Sequence, residues 1–342
     1  MAETQFATGD NLTQKLWSAT VIREAVKDIY FSKFAGKGGY TGQMTGSSDS
    51  GAVISVVTEL EKESGDQITL PLRMRLTNTA IDAENAAIEG NEEEMVFHDF
   101  SVVVQEKANA VKAKNKMALQ RPAFDLRTEF KDGLRDWLTE YIDQATIDAL
   151  TASPTTNRRI YGGDATSDAT IDSSDTMSTT VIEKAKRKAR LLVSGIPKIR
   201  PVMVQGREYY VMLMHDYQFK ALKADTTTWV PSQQYAGVRG IENPLFSGAE
   251  GIWDGIVIHL YERIPTYTNF GSGSDLNGAR AVLLGAQAGV HAWAQRPKWY
   301  EKLFDYHRVP GVATDLIWRA SKTVFNGEDF AVIAADTYIA TD

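Results

Sequence analysis

The chain has no cysteine among its 342 residues. That excludes disulfides and thiolate metal sites, and fits a reducing compartment or indifference to redox. No apolar run reaches about 18 residues, so no membrane-spanning helix and no membrane partner are expected. The opening MAETQFATGD is acidic and polar, so neither a secretory signal nor a transit peptide is expected. A basic excess is also missing: 37 Lys and Arg stand against 44 Asp and Glu, a formal charge of -7. Proteins that coat nucleic acid by neutralising phosphates need the opposite balance. A mildly acidic protein can still enclose DNA without gripping it, so charge does not separate a shell from a cytosolic enzyme.

Catalytic patterns are equally sparse. The serines of SSDSG lie in a glycine-rich stretch, where a nucleophile and its base would be poorly preorganised. GKGG lacks the downstream Gly-Lys-Ser/Thr of a phosphate-binding loop, and GAQAG (285–289) is too short for a dinucleotide site. His98, His215, His259, His291 and His307 have no metal-ligand spacing and are expected to be structural. Glu89, Glu92, Glu93 and Glu94 lack the alternating oxygen ligands of a calcium loop and read as solvated charge. No catalytic residue, metal ligand or cofactor is nominated.

What is present is a sequence of elements with unusual extensions. Leu12, Leu16, Val26, Ile29, Tyr30 and Phe34 roughly follow helical spacing. The glycine- and serine-rich stretch Ala35 to Gly51 reads as a flexible arm or linker, because ordering it would cost too much entropy. Val53, Ile54, Val56 and Val57 form a strand run. Gln67 to Leu72 alternates after the Gly65-Asp66 turn, and a second strand lies within Met95 to Val104. Joined by a polar, acidic connection, these two predict an extended hairpin, which has little core of its own and needs a neighbour to lie on.

A long helix follows. Pro122 suits its first turn, and Phe130, Leu134, Leu138, Tyr141 and Ala145 recur at three- and four-residue intervals up to Leu150. About thirty residues make roughly 45 Å of helix. A second, basic helix is predicted over Val181 to Val193, and TTNRRIYGGDATSDATIDSSDTMS between the two reads as an irregular surface loop. Further on, strands are predicted at Pro201 to Val204, Tyr209 to Met214, Ile256 to Tyr261, Ala281 to Gly285 and Ile333 to Ile339, with a helix from Asp216 to Ala224. Trp293, Trp299, Tyr300, Phe304, Tyr306 and Trp318, interleaved with Arg296, Lys298 and Lys302, have a composition that can bind single strands. They alternate as strands do, so core or subunit contact is the expectation.

One charge asymmetry stands out. Asp82, Glu84, Glu89, Glu92, Glu93, Glu94 and Asp99 fall in the hairpin with no Lys or Arg among them. Lys107, Lys112, Lys114, Lys116, Arg121, Arg127 and Arg135 follow soon after. Either these are two independent solvated faces, or the acidic hairpin of one copy meets the basic region of another. The candidate contact residues are Glu89, Glu92, Glu93, Glu94, Lys112, Lys114, Lys116, Arg121 and Arg127.

The blocks GDQITLPL, AIEGNEEEMVFHDFSV and KMALQRPAFDLRTEFKDGLRDWLTEYID, in this order, resemble the major capsid family typified by the N4-like tailed phages. LWSATVIREAVKDIYFSKF, GIWDGIVIHLYERIP and WRASKTVFNGEDFAVIAADT extend the likeness over most of the chain. The resemblance implies an α+β fold of the type first seen in phage Hong Kong 97. On it, 1–48 would be an N-terminal arm, 49–116 the extended loop and 117–194 the peripheral domain with its spine helix. The axial domain would cover 195–298, with 299–318 returning to the peripheral domain and 319–342 finishing in the axial one. It also implies a non-enzymatic shell subunit whose partners are its own copies in hexamers and pentamers, a scaffolding protein, a portal and enclosed double-stranded DNA, with a decoration protein as an option. Family-like sequence begins close to Met1, so the scaffold is expected to be a separate chain. The alternatives are a non-viral encapsulating cage of the same fold, then a cytosolic hydrolase.

Overall fold

A computed structural model describes residues 29–36, 51–62, 64–76, 80–81, 87–120, 126–191, 198–204, 207–225, 228–234 and 249–341. The helical pattern before Ile29 and most of the glycine-rich stretch lie outside them.

Two sheets organise the described residues. The larger has eight strands, ordered Arg159–Tyr161, Val332–Tyr338, Leu276–Leu284, Arg207–Met214, Ile256–Leu260 and Gly251–Trp253. Thr266–Phe270 pairs with Leu276–Leu284, and Val202–Val204 with Arg207–Met214. Its central strands are continuous apolar runs, Val211 to Met214, Ala281 to Leu284 and Val332 to Ala335, buried on both faces. Helix Thr179–Arg190 buries Val181, Ile182, Ala185 and Ala189 and turns Lys184, Arg187 and Arg190 outward, while Lys188 reaches the Arg159 carbonyl at 2.8 Å. Helix Asp216–Lys223 is capped by His215, whose Nδ1 accepts from Tyr217 N–H at 3.2 Å.

The second sheet is ordered Ala35–Gly36, Ile54–Val57, Gly289–Phe304, Val309–Lys322 and Gln105–Lys112. Its spine is a long antiparallel pair, in register from Gly289 opposite Lys322 to Phe304 opposite Val309, with shifts around Gln295 and Lys298. The aromatic block therefore does form strands. Trp293 and Trp318 face each other across them at 5.6 Å between ring centroids. The long helix, Leu126–Thr151, lies over Val309–Lys322. Leu134 meets Trp299 and Val312, while Leu138, Ile142, Ile147 and Leu150 join the main core. Its 26 described residues rise about 39 Å.

The stretch expected to be a surface loop between the two helices is a correction. Arg159–Tyr161 adds an edge strand parallel to Val332–Tyr338, and Arg158, Ile160, Ile171, Asp175 and Met177 are buried. Long-range ion pairs hold it there. Asp336, fully buried, accepts from Arg280 Nε at 2.7 Å and from Arg159, which also pairs with Asp168. Gly162 passes so close to the Asp175 carbonyl that any Cβ would sit 2.3 Å from its oxygen. Gln105–Lys112 is a strand the apolar pattern does not mark. It pairs with Val309–Lys322 as the last strand of that sheet, and six of its eight residues are exposed.

Candidate assembly interface

Strands Gln67–Arg73 and Phe97–Val103 form the hairpin, paired from Gln67 opposite Val103 to Arg73 opposite Phe97. Alternation gives it two unlike faces. Ile68, Leu70 and Val102 turn inward and pack with Val57, Val104, Val290 and Ala292. Gln67, Thr69, Pro71, Asp99, Ser101 and Val103 turn outward, where the hydroxyls of Thr69 and Ser101 meet at 2.9 Å. Toward the Arg73–Phe97 end of the pairing, a cavity of about 140 Å³ separates the hairpin from the body, lined by Leu70, Leu72 and Arg73 on one side and Val57, Val290 and Phe325 on the other.

The far end exposes apolar surface. Ile88 is 59% and Phe97 52% exposed, and Leu76, Met95 and Val96 are also open. Among them stand Glu89, Glu92 and Glu94, all exposed, with Glu93 half-buried. Gly90, at φ 88°, makes the turn and donates its N–H to Glu92 at 2.8 Å. Asp82 and Glu84 lie outside the described residues.

The basic candidates divide. Lys112, Lys114 and Lys116 are exposed around the end of Gln105–Lys112. Arg127 donates to Glu301 of its own chain at 2.7 Å, so a neighbour's carboxylate would have to share it. Arg121 lies outside the described residues. Pattern reading missed the surroundings of Lys112. It and Lys302 each place Nζ 5.2 Å from the Phe304 ring centroid. They border a groove of about 380 Å³ floored by Ala110, Gly311 and Ala313 and walled by Tyr300. Strand pairing builds this surface from residues about 190 apart in sequence. Beyond Phe304 the turn carries Asp305, Tyr306 and His307 all at positive φ, with Tyr306 96% exposed.

The histidines are dispersed. His259 and His291 are buried, His215 is the helix cap, His98 is half-buried on the hairpin and His307 lies in the exposed turn. Thr146 Oγ1 donates to the Ile142 carbonyl at 2.7 Å, so the His291 Nε2 at 3.1 Å is read as the donor to that oxygen. Burial lowers the His291 pKa to about 4, helped by the charge of Arg296. Among the described residues no group of three His, Cys, Asp or Glu could hold a metal ion.

The phage capsid protein family matches residues 5–154 and 151–341. The chain belongs to that family. This capsid chain is 24% identical over 382 residues to the major capsid protein of Pseudomonas phage KPP25, covering 98% of this chain and 97% of that one. The capsid of Ralstonia phage GP4 superimposes with a TM-score of 0.82 at 31% identity, covering 99% of both chains. The capsid of cyanophage Pam1 shares the fold at a TM-score of 0.76 and 22% identity, over 93% of this chain and 94% of that one. The capsid chain has the α+β, Hong Kong 97-type fold, and its place is the shell of the virion. The finer N4-like assignment rests on the resemblance of the sequence blocks alone.

Proposed function

We propose that this chain is the non-enzymatic major subunit of an icosahedral head, joined into hexamers and pentamers through hairpins laid on neighbouring copies. One observation carries the reading: the hairpin holds apolar Ile88, Met95, Val96 and Phe97 in water, where a monomer gains nothing from them. Laid on a second copy, such surface contributes about 25 cal/mol per Å² removed from water. Contacts of this head-to-tail kind close into rings, and small changes of angle give rings of different size. Several modest contacts per subunit suffice, because each subunit is held by many neighbours at once.

The acidic hairpin end, Glu89, Glu92, Glu93 and Glu94, then faces Lys112, Lys114, Lys116, Arg121 and Arg127 of the neighbour. The groove beside Lys112 and Lys302 receives the apolar residues next to those carboxylates. Each exposed pair is worth about 0–1 kcal/mol, so the charges set register more than strength. The domain borders 48, 116, 194, 298 and 318 complete the proposal. They rest on the resemblance, since positions 298 and 318 both fall inside the continuous Gly289–Phe304 and Val309–Lys322 strand pair. A separate scaffold, a portal and enclosed double-stranded DNA are the proposed partners, with a decoration protein optional.

Charge reversal tests the contact. Replacing Glu89, Glu92 and Glu94 by Lys is expected to abolish closed particles in electron microscopy, and Lys112, Lys114 and Lys116 changed to Glu in the same chain should restore them. Normal particles from the first variant, or no rescue by the second, would reject the pairing.

A further inference from the structure

At Ile29 the described chain begins a path that crosses the molecule in eight residues. Tyr30–Lys33 is a single 3-10 turn, and its N-cap, Ile29, has no side chain that can accept a hydrogen bond. The long helix supplies the acceptor. Asp143 accepts from Tyr30 N–H at 3.0 Å and from Phe31 N–H at 3.4 Å, capping the turn from more than a hundred residues away. Around this point the Tyr30 ring stacks on Tyr261 at 4.5 Å, and its hydroxyl donates to the Leu260 carbonyl at 3.3 Å. Phe31 and Phe34 are buried, and Lys33 Nζ lies 3.9 Å from the centre of the Tyr30 ring. Immediately afterwards Ala35 and Gly36 pair with Ile54 and Ser55. The segment thus touches, in order, the end of Ile256–Leu260 in the eight-stranded sheet, the long helix, and the edge of the five-stranded sheet.

Asp143 is 7% exposed. Burial raises its carboxyl pKa even though two N–H groups and the charge of Arg263 oppose the shift. A carboxylate kept where its charged form is disfavoured adds little to stability. Its geometric consequence is sharper, because it fixes the two leading amides of the turn and hence the direction of the chain there.

We infer that residues 29–36 form a clasp keyed by Asp143, and that Asp143 is a positioning residue for assembly that fixes the chain direction at Tyr30 and so seats Ala35 and Gly36 on the five-stranded sheet. Ala35–Gly36 is the outermost strand of that sheet among the described residues, and an outermost strand held in one place offers a second copy one fixed geometry. The assembly role rests on the shell reading above. The local role does not.

Full-length Asp143→Asn, which replaces one acceptor oxygen with an NH2 group, provides the test. In the unassembled chain, the amides of Tyr30 and Phe31 should exchange about tenfold or more faster, while those of Val332–Tyr338 keep their protection. The melting temperature should not fall, yet most closed particles seen by electron microscopy should be lost. Tyr30→Pro is the second variant. It deletes an accepted N–H at a helix position that suits proline, after an extended Ile29, together with the ring contacts to Tyr261 and Leu260 that belong to the same clasp, and leaves Asp143 in place. It should reproduce the assembly loss.

Unchanged protection at Tyr30 and Phe31 in Asp143→Asn overturns the clasp. Lost protection with normal particles overturns the positioning role, and so does normal assembly of Tyr30→Pro. Protection lost across the whole sheet in both variants would assign Asp143 to folding instead, which also overturns it. If the unmodified chain forms no shell under any condition, the shell reading fails, and the exchange experiment still decides the clasp.

Discussion

The eight-stranded sheet and the 67–103 hairpin are built from the same kind of element and meet opposite requirements. In the sheet, Val211 to Met214, Ala281 to Leu284 and Val332 to Ala335 are each no more than 1% exposed. In the two hairpin strands only Ile68, Leu70 and Val102 are buried, at 7, 7 and 2% exposed and all on one face, and Phe97 stands half in water. The sheet completes its contacts within one chain. The hairpin leaves them open, and a capsid chain needs both: a body that folds before assembly and surfaces that become stable only in it. Stability and assembly should accordingly respond to different substitutions.

The largest expected effect lies in the sheet. Asp336 is fully buried between Arg280 and Arg159, and Asp336→Ala takes the carboxylate from both, leaving Arg280 only the Thr151 carbonyl and Arg159 only Asp168. Breaking a buried pair from one side costs about 3–5 kcal/mol, a large share of the roughly 5–15 kcal/mol by which an ordinary domain is stable. Urea unfolding of the unassembled chain should show that loss, along with release of the Arg159–Tyr161 edge strand. A midpoint within experimental error of the unmodified protein would mean that the ion cluster is not what holds the edge.

Acid should weaken the body through His291. Its folded pKa is held at about 4 by burial, below the ordinary value of 6.5. Above pH 6.5 the ring is neutral in both states and contributes no pH dependence. As pH falls below 6.5, the unfolded chain takes up a proton that the folded chain refuses, so stability declines until about pH 4 and then levels off. The full decline is about 3 kcal/mol. In His291→Asn, the stability lost between pH 7.5 and 4.5 should be smaller than in the unmodified chain by about 2–3 kcal/mol. Equal losses in the two proteins would show that His291 does not carry this sensitivity.

The comparison also explains which parts were legible in the sequence. Val211 to Met214 and Val332 to Ala335 announce themselves, because strands buried on both faces need uninterrupted apolar runs. The long helix was equally plain, since Leu134 and Leu138 of its expected stripe are buried, although Ile142 takes the inward place and Tyr141 and Ala145 are only half-buried. Gln105–Lys112 was not, because its register comes from Val309–Lys322 and not from its own composition. The buried segment around Ile160 was misread for a related reason: Arg159 and Arg158 are met by Asp336 and the Asp329 carbonyl, about 170 residues away, which no local pattern reveals. At the candidate interface the carboxylates of the hairpin end were visible as a run. The surroundings of Lys112 were not, since Lys302 and Phe304 reach it only through strand pairing. Asp143 escaped notice because the amides it caps lie at Tyr30 and Phe31, far away in the chain.

The smallest expected change in stability tests the hairpin side most directly. Phe97 closes the register opposite Arg73 with its side chain more exposed than not. Phe97→Ser removes a side chain that the unassembled chain leaves about half in water, so its unfolding free energy should fall by only about 1 kcal/mol. Leu138→Ala is the contrasting control. It truncates a fully buried side chain under the long helix and should cost about 2–5 kcal/mol. In assembly the order reverses for equal amounts of folded protein, because only Phe97 awaits a neighbour. Particle yield should then fall for Phe97→Ser and hold for whatever fraction of Leu138→Ala remains folded. If Phe97→Ser assembles normally, the hairpin's exposed apolar surface is not an adhesive one. If it destabilises the lone chain as much as Leu138→Ala, the hairpin is packed within its own subunit and the contrast between the two regions fails.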